Sequence, residues 1–470
     1  MKEKYILSLL VFFLLSSSLF SYEKHFINWE KPRVIVLTDI SNEPDDEESM
    51  VRFLVYSNEY DVEGLIATTS VWLQNQTRSD LIIKQINAYE RIRENLLNHA
   101  DGFPTPDYLK RITKTGQPEF GMESVGFGKS TPGSNFIIEV VDRPDQRPVW
   151  VSIWGGSNTL AQALWDVKYT RSPEDLSKFV SKLRVYSISD QDDAGRWMRI
   201  TFPYLFYIVT PSSVGHTEYY KATWTGISGD RHYQNGPKHF FELVDNPWLK
   251  ENIIQNHGPL GELYPPLEYI MEGDTPSFLN LINNGLGSFL NPAYGGWGGR
   301  YQLAQTYGET RSIWTNSRDH VQAQDGSWHT TAQATIWRWR EAYQYDFAAR
   351  MDWCIAKKYQ DANHNPVAVL NNDKSKNVLE ISAKIGDRVE LSAEGSTDPD
   401  GDKYDIQWYV YREAGTFKGN LKLTETAKSK TSFLVPEVKE KSTIHIILQL
   451  RDRGQPNLFS YRRAIVTIES

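Results

Sequence analysis

Asp39, Asp45 and Asp46 crowd into one turn of the stretch RVIVLTDISNEPDDEESM, residues 33–50. Carboxylates gathered this closely repel one another unless a proton or a cation neutralises them. An all-oxygen donor set suits a hard divalent cation, with Ca²⁺ ahead of Mg²⁺. Such an ion lowers the pKa of a bound water and can orient a sugar diol. A structural alternative stands beside this one. Asp45 followed by Glu48 fits a helix N-cap with its N3 acid, and acids in a first turn suit the helix dipole.

The flanking elements decide where such a turn would sit. Val34-Ile35-Val36-Leu37 is an apolar β-branched run that reads as a buried strand, and Met50, Phe53 and Leu54 fall at helical spacing. Val62 to Ala67 is a second apolar run, which completes a β-α-β unit with its acids at one end. In an open α/β sheet that end is the carboxyl edge of the strands, where ligands bind. Further along, the pattern predicts a helix over 81–97, a surface excursion over 99–133 and a short helix over 135–141. A strand over 148–153 then runs into the glycine turn Trp154-Gly155-Gly156-Ser157-Asn158 and a helix. Glycines there let backbone approach a ligand closely, or simply make a strand-to-helix turn.

Acids recur at later strand ends. Residues 183–189 read as a strand running into Asp190, Asp192 and Asp193; Asp190 is the best placed, and the other two equally suit a solvated loop. A further strand is expected over 205–209, followed by a glycine-rich loop with Asp230, Arg231 and His232. Asp274 precedes a helix that starts at Pro276, where it is either a ligand or a cap. In NPAYGGWGGRY, residues 291–301, Trp297 and Arg300 sit among glycines and are candidates for contact with a polyol or acidic sugar, or parts of a closing loop. Residues 331–356 read as an aromatic packing helix.

Composition sets the boundaries. Residues 1–21 have a basic start and an apolar core too short to span a bilayer, as in a secretory signal peptide with no cysteine for lipidation, so a periplasmic or secreted protein is expected. No later stretch is apolar enough for a membrane helix, and Cys354 is the only cysteine, so no intramolecular disulfide forms. A net charge of −8 without a basic stripe argues against nucleic acid as a partner, and a homo-oligomer is left open. The polar residues 361–376, with Pro366, suit a linker. Short alternating runs over 377–470 then suit a small β-sandwich, with Asp398, Asp400 and Asp402 as either a second Ca²⁺ loop or an Asx-rich turn.

The string TDISNEPDDEESMVRFLVYSNEYDVEGLIATTSVW resembles the aspartate-rich signature of the inosine/uridine-preferring nucleoside hydrolases. It is closer still to a bacterial nucleoside hydrolase-like family described as cellulose-binding. The loop at Gly395 to Asp402 resembles that of polycystic-kidney-disease-type immunoglobulin-like modules. The resemblance implies an α/β domain over residues 30–360, with an open, mostly parallel sheet, followed by an immunoglobulin-like sandwich. It implies Ca²⁺ held by Asp39, Asp46, Asp274 and the Asn158 carbonyl, with Asp45 as the base. Placing Asp39 on the family's second, metal-binding aspartate takes a two-residue insertion in the DxDxGxDD pattern. The turn departs from the family's glycine-proline-leucine-threonine-asparagine at Gly156 and Asn158. Gly273 stands where the family has its leaving-group histidine, which argues against nucleoside substrates.

The leading expectation is therefore a calcium-dependent glycosyl hydrolase acting on a glycan or glycoside, with Asp190, Trp297 and Arg300 contacting the substrate. The alternatives are a non-catalytic carbohydrate-binding protein on a hydrolase-like scaffold, and aspartates that hold a purely structural Ca²⁺.

Overall fold

A computed structural model describes residues 23–27, 30–41, 43–212, 219–229 and 238–469. The expected leader, residues 1–21, and Asp230, Arg231 and His232 lie outside the described residues. An eight-stranded sheet runs in the order β4 (Thr113–Thr115), β3 (Asp61–Ala67), β2 (Arg33–Thr38), β5 (Val149–Ile153), β6 (Leu183–Ser189), β7 (Phe206–Thr210), β9 (Ile313–Asn316) and β8 (Tyr301–Ala304). All its pairings are parallel except β8–β9. Parallel sheets need both faces covered. Val34 and Val36 of β2 pack into one apolar cluster with the helices Pro44–Val55 and Arg340–Trp353, while Ile35 and Leu37 pack into another with the helix Asn158–Thr170. That is a three-layer α/β fold.

Chain direction reverses at β2. From β2 the chain steps outward to β3 and β4, then returns to β5 on the other side of β2 and continues to β6 and β7. The carboxyl ends of β2 and β5 thus form the switch point, the place where open α/β sheets bind ligands. Asp39 follows β2 and the Gly155-Gly156 turn follows β5, so the two sequence motifs meet there.

The second unit is all-β. Strands β1 (Glu23–Ile27), β12 (Val378–Lys384), β17 (Phe459–Glu469), β16 (Ser442–Asp452) and β14 (Tyr404–Val410) form one sheet, and β13 (Arg388–Ser392) pairs with β15 (Lys430–Leu434) in a second. A hairpin of β10 (Asp319–Gln322) and β11 (Trp328–Thr331) stands beside the first unit. Residues 361–376, expected as a linker, are instead packed. Asn363, His364, Ala368, Val369 and Leu370 are buried, and Asn363 Nδ2 donates to Asp452 at 3.1 Å. The physical reason is that both units share a core: Tyr411, Ile447, Phe459 and Tyr461 belong to the apolar cluster on one face of the parallel sheet. Arg463 also donates to the carbonyls of Leu286 and Gly295 at 2.6 and 2.9 Å. Cys354 lies in the same cluster. Among the described residues no helix is long and apolar enough to cross a membrane.

Candidate functional site

Asp45 and Asp46 lie in the first turn of the helix that begins at Pro44. The N-cap is Glu43, whose side chain makes no capping bond, so neither aspartate caps the helix. Their place does put them in the positive field of its amino end. Asp274 occupies the N-cap position of the short helix Thr275–Leu279, also without a side-chain cap bond. One carboxylate oxygen from each of Asp45, Asp46 and Asp274 lies within 4.8 Å of the others, and all three residues are buried. The turn between β2 and the helix is strained: Ser41 adopts φ 111°, a left-handed conformation that only glycine enters freely.

Hydroxyl groups hold the cluster. Thr38 Oγ1 donates to Asp46, and Ser70 Oγ donates to Asp39 Oδ2. Asp39 Oδ1 and Asp274 Oδ2 are buried without a hydrogen-bond partner. None of the four aspartates forms an ion pair with a lysine, arginine or histidine among the described residues. Burial raises the pKa of Asp39, and burial followed by neighbouring acidic charge raises those of Asp45, Asp46 and Asp274 well above the usual carboxylate range. Buried polar atoms are normally satisfied. Orphaned carboxylate oxygens on mutually repelling acids are what a hard divalent cation would resolve, and the donor set fits one.

Two glycines make this crowding possible. A Cβ at Gly155 would collide with the Asp39 carboxylate. A Cβ at Gly273 would lie 2.7 Å from Asp45 Oδ2 and 3.0 Å from Cζ3 of Trp224. A side chain at the position where the resemblance puts a histidine would therefore have to displace the Asp45 carboxylate. Behind it, a buried network fixes the Asp274 loop to the first helix. Glu272 N–H donates to Glu48 Oε2 at 2.8 Å, and Arg52 Nε pairs with Glu272 Oε2 at 2.5 Å.

The other sequence candidates fall elsewhere. Asn158 is the first residue of its helix, so its carbonyl enters the helical ladder rather than standing free as the family match implies. Its side-chain Nδ2 donates to Glu119 O at 2.8 Å, and Oδ1 is the atom left without a partner. Asp190 is gripped bidentately by Arg199 at 2.8 and 2.9 Å, and Arg199 also binds Glu309. Asp190 therefore lines a pocket of about 420 Å³ as half of an ion pair rather than as a free acid. Trp297, expected at a sugar, is only 2% exposed and sits in the core. Its glycines explain this: a Cβ at Gly298 would collide with Pro276 O and Asn280, so the loop packs flat against the helix behind Asp274. Arg300 is buried and paired with Asp319 at 2.7 Å.

Several residues at the site escape sequence reasoning. Asp192, read as ambiguous, is buried and anchors the glycine turn. It accepts from Ser157 N and Oγ, both at 2.7 Å, and from Asn158 N at 2.9 Å, while burial raises its pKa to about 6. Its position one residue past a strand-end glutamine gives no such signal. Trp224 packs against Gly273, as Asp45 does, and is held by its Nε1 donating to Ser189 Oγ at 3.2 Å. Ser70 lies one strand away, at the end of β3, and nothing in its local sequence marks it as an Asp39 partner.

Residues 33–301 match the family model "Cellulose-binding Sde182, nucleoside hydrolase-like domain", and residues 388–468 match "Cellulose-binding protein Sde0182, C-terminal domain". A solved structure of a nucleoside hydrolase-related hypothetical protein from Saccharophagus degradans, described as associated with carbohydrate metabolism, is 40% identical. It covers 94% of this chain and 100% of its own, with a TM-score of 0.79. The effector protein XOO4466 overlaps at 10% identity and a TM-score of 0.34, over 60% of this chain and 87% of its own, and carries no argument. No curated protein matches the chain. The chain belongs to the Sde182 family of cellulose-binding proteins with a nucleoside hydrolase-like domain.

Proposed function

We propose that the protein is a secreted, calcium-dependent glycosyl hydrolase that acts on a glycan or glycoside. The observation that carries this reading is the buried trio Asp45, Asp46 and Asp274 at the switch point, with Asp39 Oδ1 and Asp274 Oδ2 unsatisfied beside it. Asp39, Asp46 and Asp274 would hold the ion, with the unpartnered Oδ1 of Asn158, rather than its carbonyl, as a further oxygen. Bound there, Ca²⁺ supplies charge neutralisation, polarises a water and grips a sugar diol.

The chain supplies the rest. Asp45 takes the proton of the attacking water as its oxygen bonds to the anomeric carbon and the glycosidic bond breaks. The Trp224 ring, buried against Gly273, keeps bulk water from that side of the site. Asp192 keeps the Gly155-Gly156 turn in register with Asp39 through its bonds to Ser157 and Asn158. Developing positive charge on the sugar ring would be favoured by the surrounding carboxylates, as in other glycosyl transfers. Gly273 can donate no proton, so the leaving group takes its proton from outside this position. That is a poor arrangement for expelling a nucleobase and favours glycans over nucleosides.

One observation favours a second reading, a carbohydrate-binding protein without turnover: the leaving-group position carries a glycine crowded by Asp45 and Trp224. The test is a hydrolysis screen of glycans and nucleosides on mature protein, with Ca²⁺ and with chelator. Calcium-dependent product release, lost in Asp45→Asn, supports the hydrolase. No product, together with pull-down by insoluble cellulose that survives Asp45→Asn, supports the binding protein.

A further inference from the structure

A cleft of about 790 Å³ opens where the end of β9 and the hairpin β10–β11 meet the turn of the second unit that carries Glu413 and Lys418. Its charge is lopsided. Lys221, Arg300, Arg318 and Lys418 line it against Glu413 alone, in a chain whose net charge is −8. Arg318 is exposed, and its guanidinium makes no hydrogen bond or ion pair among the described residues. The Lys418 ammonium is bonded to backbone carbonyls, including Gly415 O at 2.6 Å, so its charge is not cancelled by a carboxylate there. Arg300 is neutralised by Asp319, so the cations that face the cleft without a carboxylate partner are Arg318 and Lys418, and such cations attract an anionic ligand.

The neighbouring hairpin adds an aromatic surface. Trp328 is 58% exposed, and its ring stacks on His320 at 4.6 Å and 14°, which leaves its opposite face free. The antiparallel register sets Trp328 opposite Gln322 and Thr330 opposite His320, so these four side chains share one face of the hairpin. Thr330 lines the cleft and hydrogen-bonds His320 at 2.8 Å, which ties the cleft's edge to the ring that stacks on the indole. Residues 219–224 separate this region from the aspartates. Tyr220 and Lys221 line the cleft, whereas Tyr219 and Trp224 are buried and Trp224 packs against Gly273 of the Asp274 loop.

We propose that the cleft and the Trp328 face form a second carbohydrate site, distinct from the aspartate cluster, for a glycan bearing uronic acid carboxylates. The indole stacks on the apolar face of one sugar ring, as amphipathic rings do. Arg318 and Lys418 take carboxylates, with the planar guanidinium matched to their two oxygens. The inference rests on the reading that the ligand is a glycan, and not on turnover.

The test is isothermal titration of the full mature chain in EDTA, which leaves the aspartate cluster without a cation. The ligands are hexagalacturonate, cellohexaose and a sulfated galactan hexasaccharide. Hexagalacturonate is expected to bind most tightly and to weaken with salt. Trp328→Ala and Arg318→Ala are each expected to weaken it about tenfold, the size of a lost charge-assisted bond or stacking contact. Both side chains are exposed, so unchanged melting curves would confirm folding of the variants. Equal or tighter cellohexaose binding overturns the acidic class, and tighter binding of the sulfated chain overturns the carboxylate assignment. Wild-type affinity in both variants, or no hexagalacturonate binding at all, overturns the site. Failure of the hydrolase reading shows separately, as absence of Asp45-dependent product release.

Discussion

Replacing Gly273 by alanine tests the geometry of the candidate site with a single methyl group. The new Cβ would stand 2.7 Å from Asp45 Oδ2 and 3.0 Å from the Trp224 ring, both inside ordinary contact. The backbone cannot retreat. Glu272, one residue earlier, donates its N–H to Glu48, holds Arg52 with its carboxylate, and already adopts φ 54°. Trp224 is tied to Ser189, so the Asp45 carboxylate must move. Overpacking of this kind costs about 1–3 kcal/mol, measurable as a shift in the urea midpoint at constant m. A carboxylate displaced by about 1 Å also loses about a hundredfold in rate if it is the base, read in a single-turnover assay with Ca²⁺. Gly273→His, which restores the family residue in sequence, should be still less stable and should gain no nucleoside hydrolysis. A Gly273→Ala protein within about 0.5 kcal/mol of wild type, with its turnover intact, would show that Asp45 has room to spare and would refute the packing argument.

Other perturbations probe the same frame. The pKa values of Asp39, Asp45, Asp46 and Asp274 are raised in the fold, so the folded chain binds protons that the unfolded chain releases. The stability this lends is fully present below about pH 4 and is lost as pH rises through the raised values. Urea midpoints in EDTA should fall with pH, and excess Ca²⁺ should flatten the fall; identical slopes would sink the cation site. Asp45→Asn should abolish turnover while raising the melting temperature in EDTA, because one repelling charge is gone. Arg52→Met strands Glu272 without its buried partner and should cost about 3–5 kcal/mol, a loss that Glu272→Gln in the same chain should partly reverse. Tyr411→Phe removes a 2.6 Å bond to Asp319 and should cost about 1–3 kcal/mol, with calorimetry still showing one transition for both units.

The strands that position the site were readable because each is an apolar run ending in a chemically distinct turn. Val34–Leu37 before Asp39, and residues 148–153 before Gly155, show period and punctuation together, and β2 and β5 are where those runs predict them. Asp274 was legible only through family resemblance, since its local signal is that of any acid before a proline-led helix. Trp297 shows the limit of reading glycines. The same residue type that permits a ligand to approach also permits a neighbouring backbone to approach, and here Gly298 meets Pro276 and Asn280. Asp190 shows another limit, because its partner Arg199 lies on the following helix and is itself shared with Glu309, far along the chain. Strands β8 to β11 are four residues each and largely polar, too short for periodicity to register. Residues 363–370 of the expected linker are mostly buried, since Asn363 and Asn365 hydrogen-bond the second unit across the junction.

Strand β1 has a consequence for how the chain is made. It comes from the start of the described chain, yet it pairs with β12, whose first residue is Val378. Chains emerge amino end first, so almost the whole protein must be synthesised before this strand meets its neighbour. Until then its backbone groups are an open edge, ready to recruit any extended segment nearby. The closing step joins residues 23–27 to residues 378–382 and is the longest-range pairing among the described strands, which makes it slow. The last event of folding is thus expected at the first of the described strands to appear, and a chaperone that shields that edge would shape the yield of native protein more than any change at the aspartates.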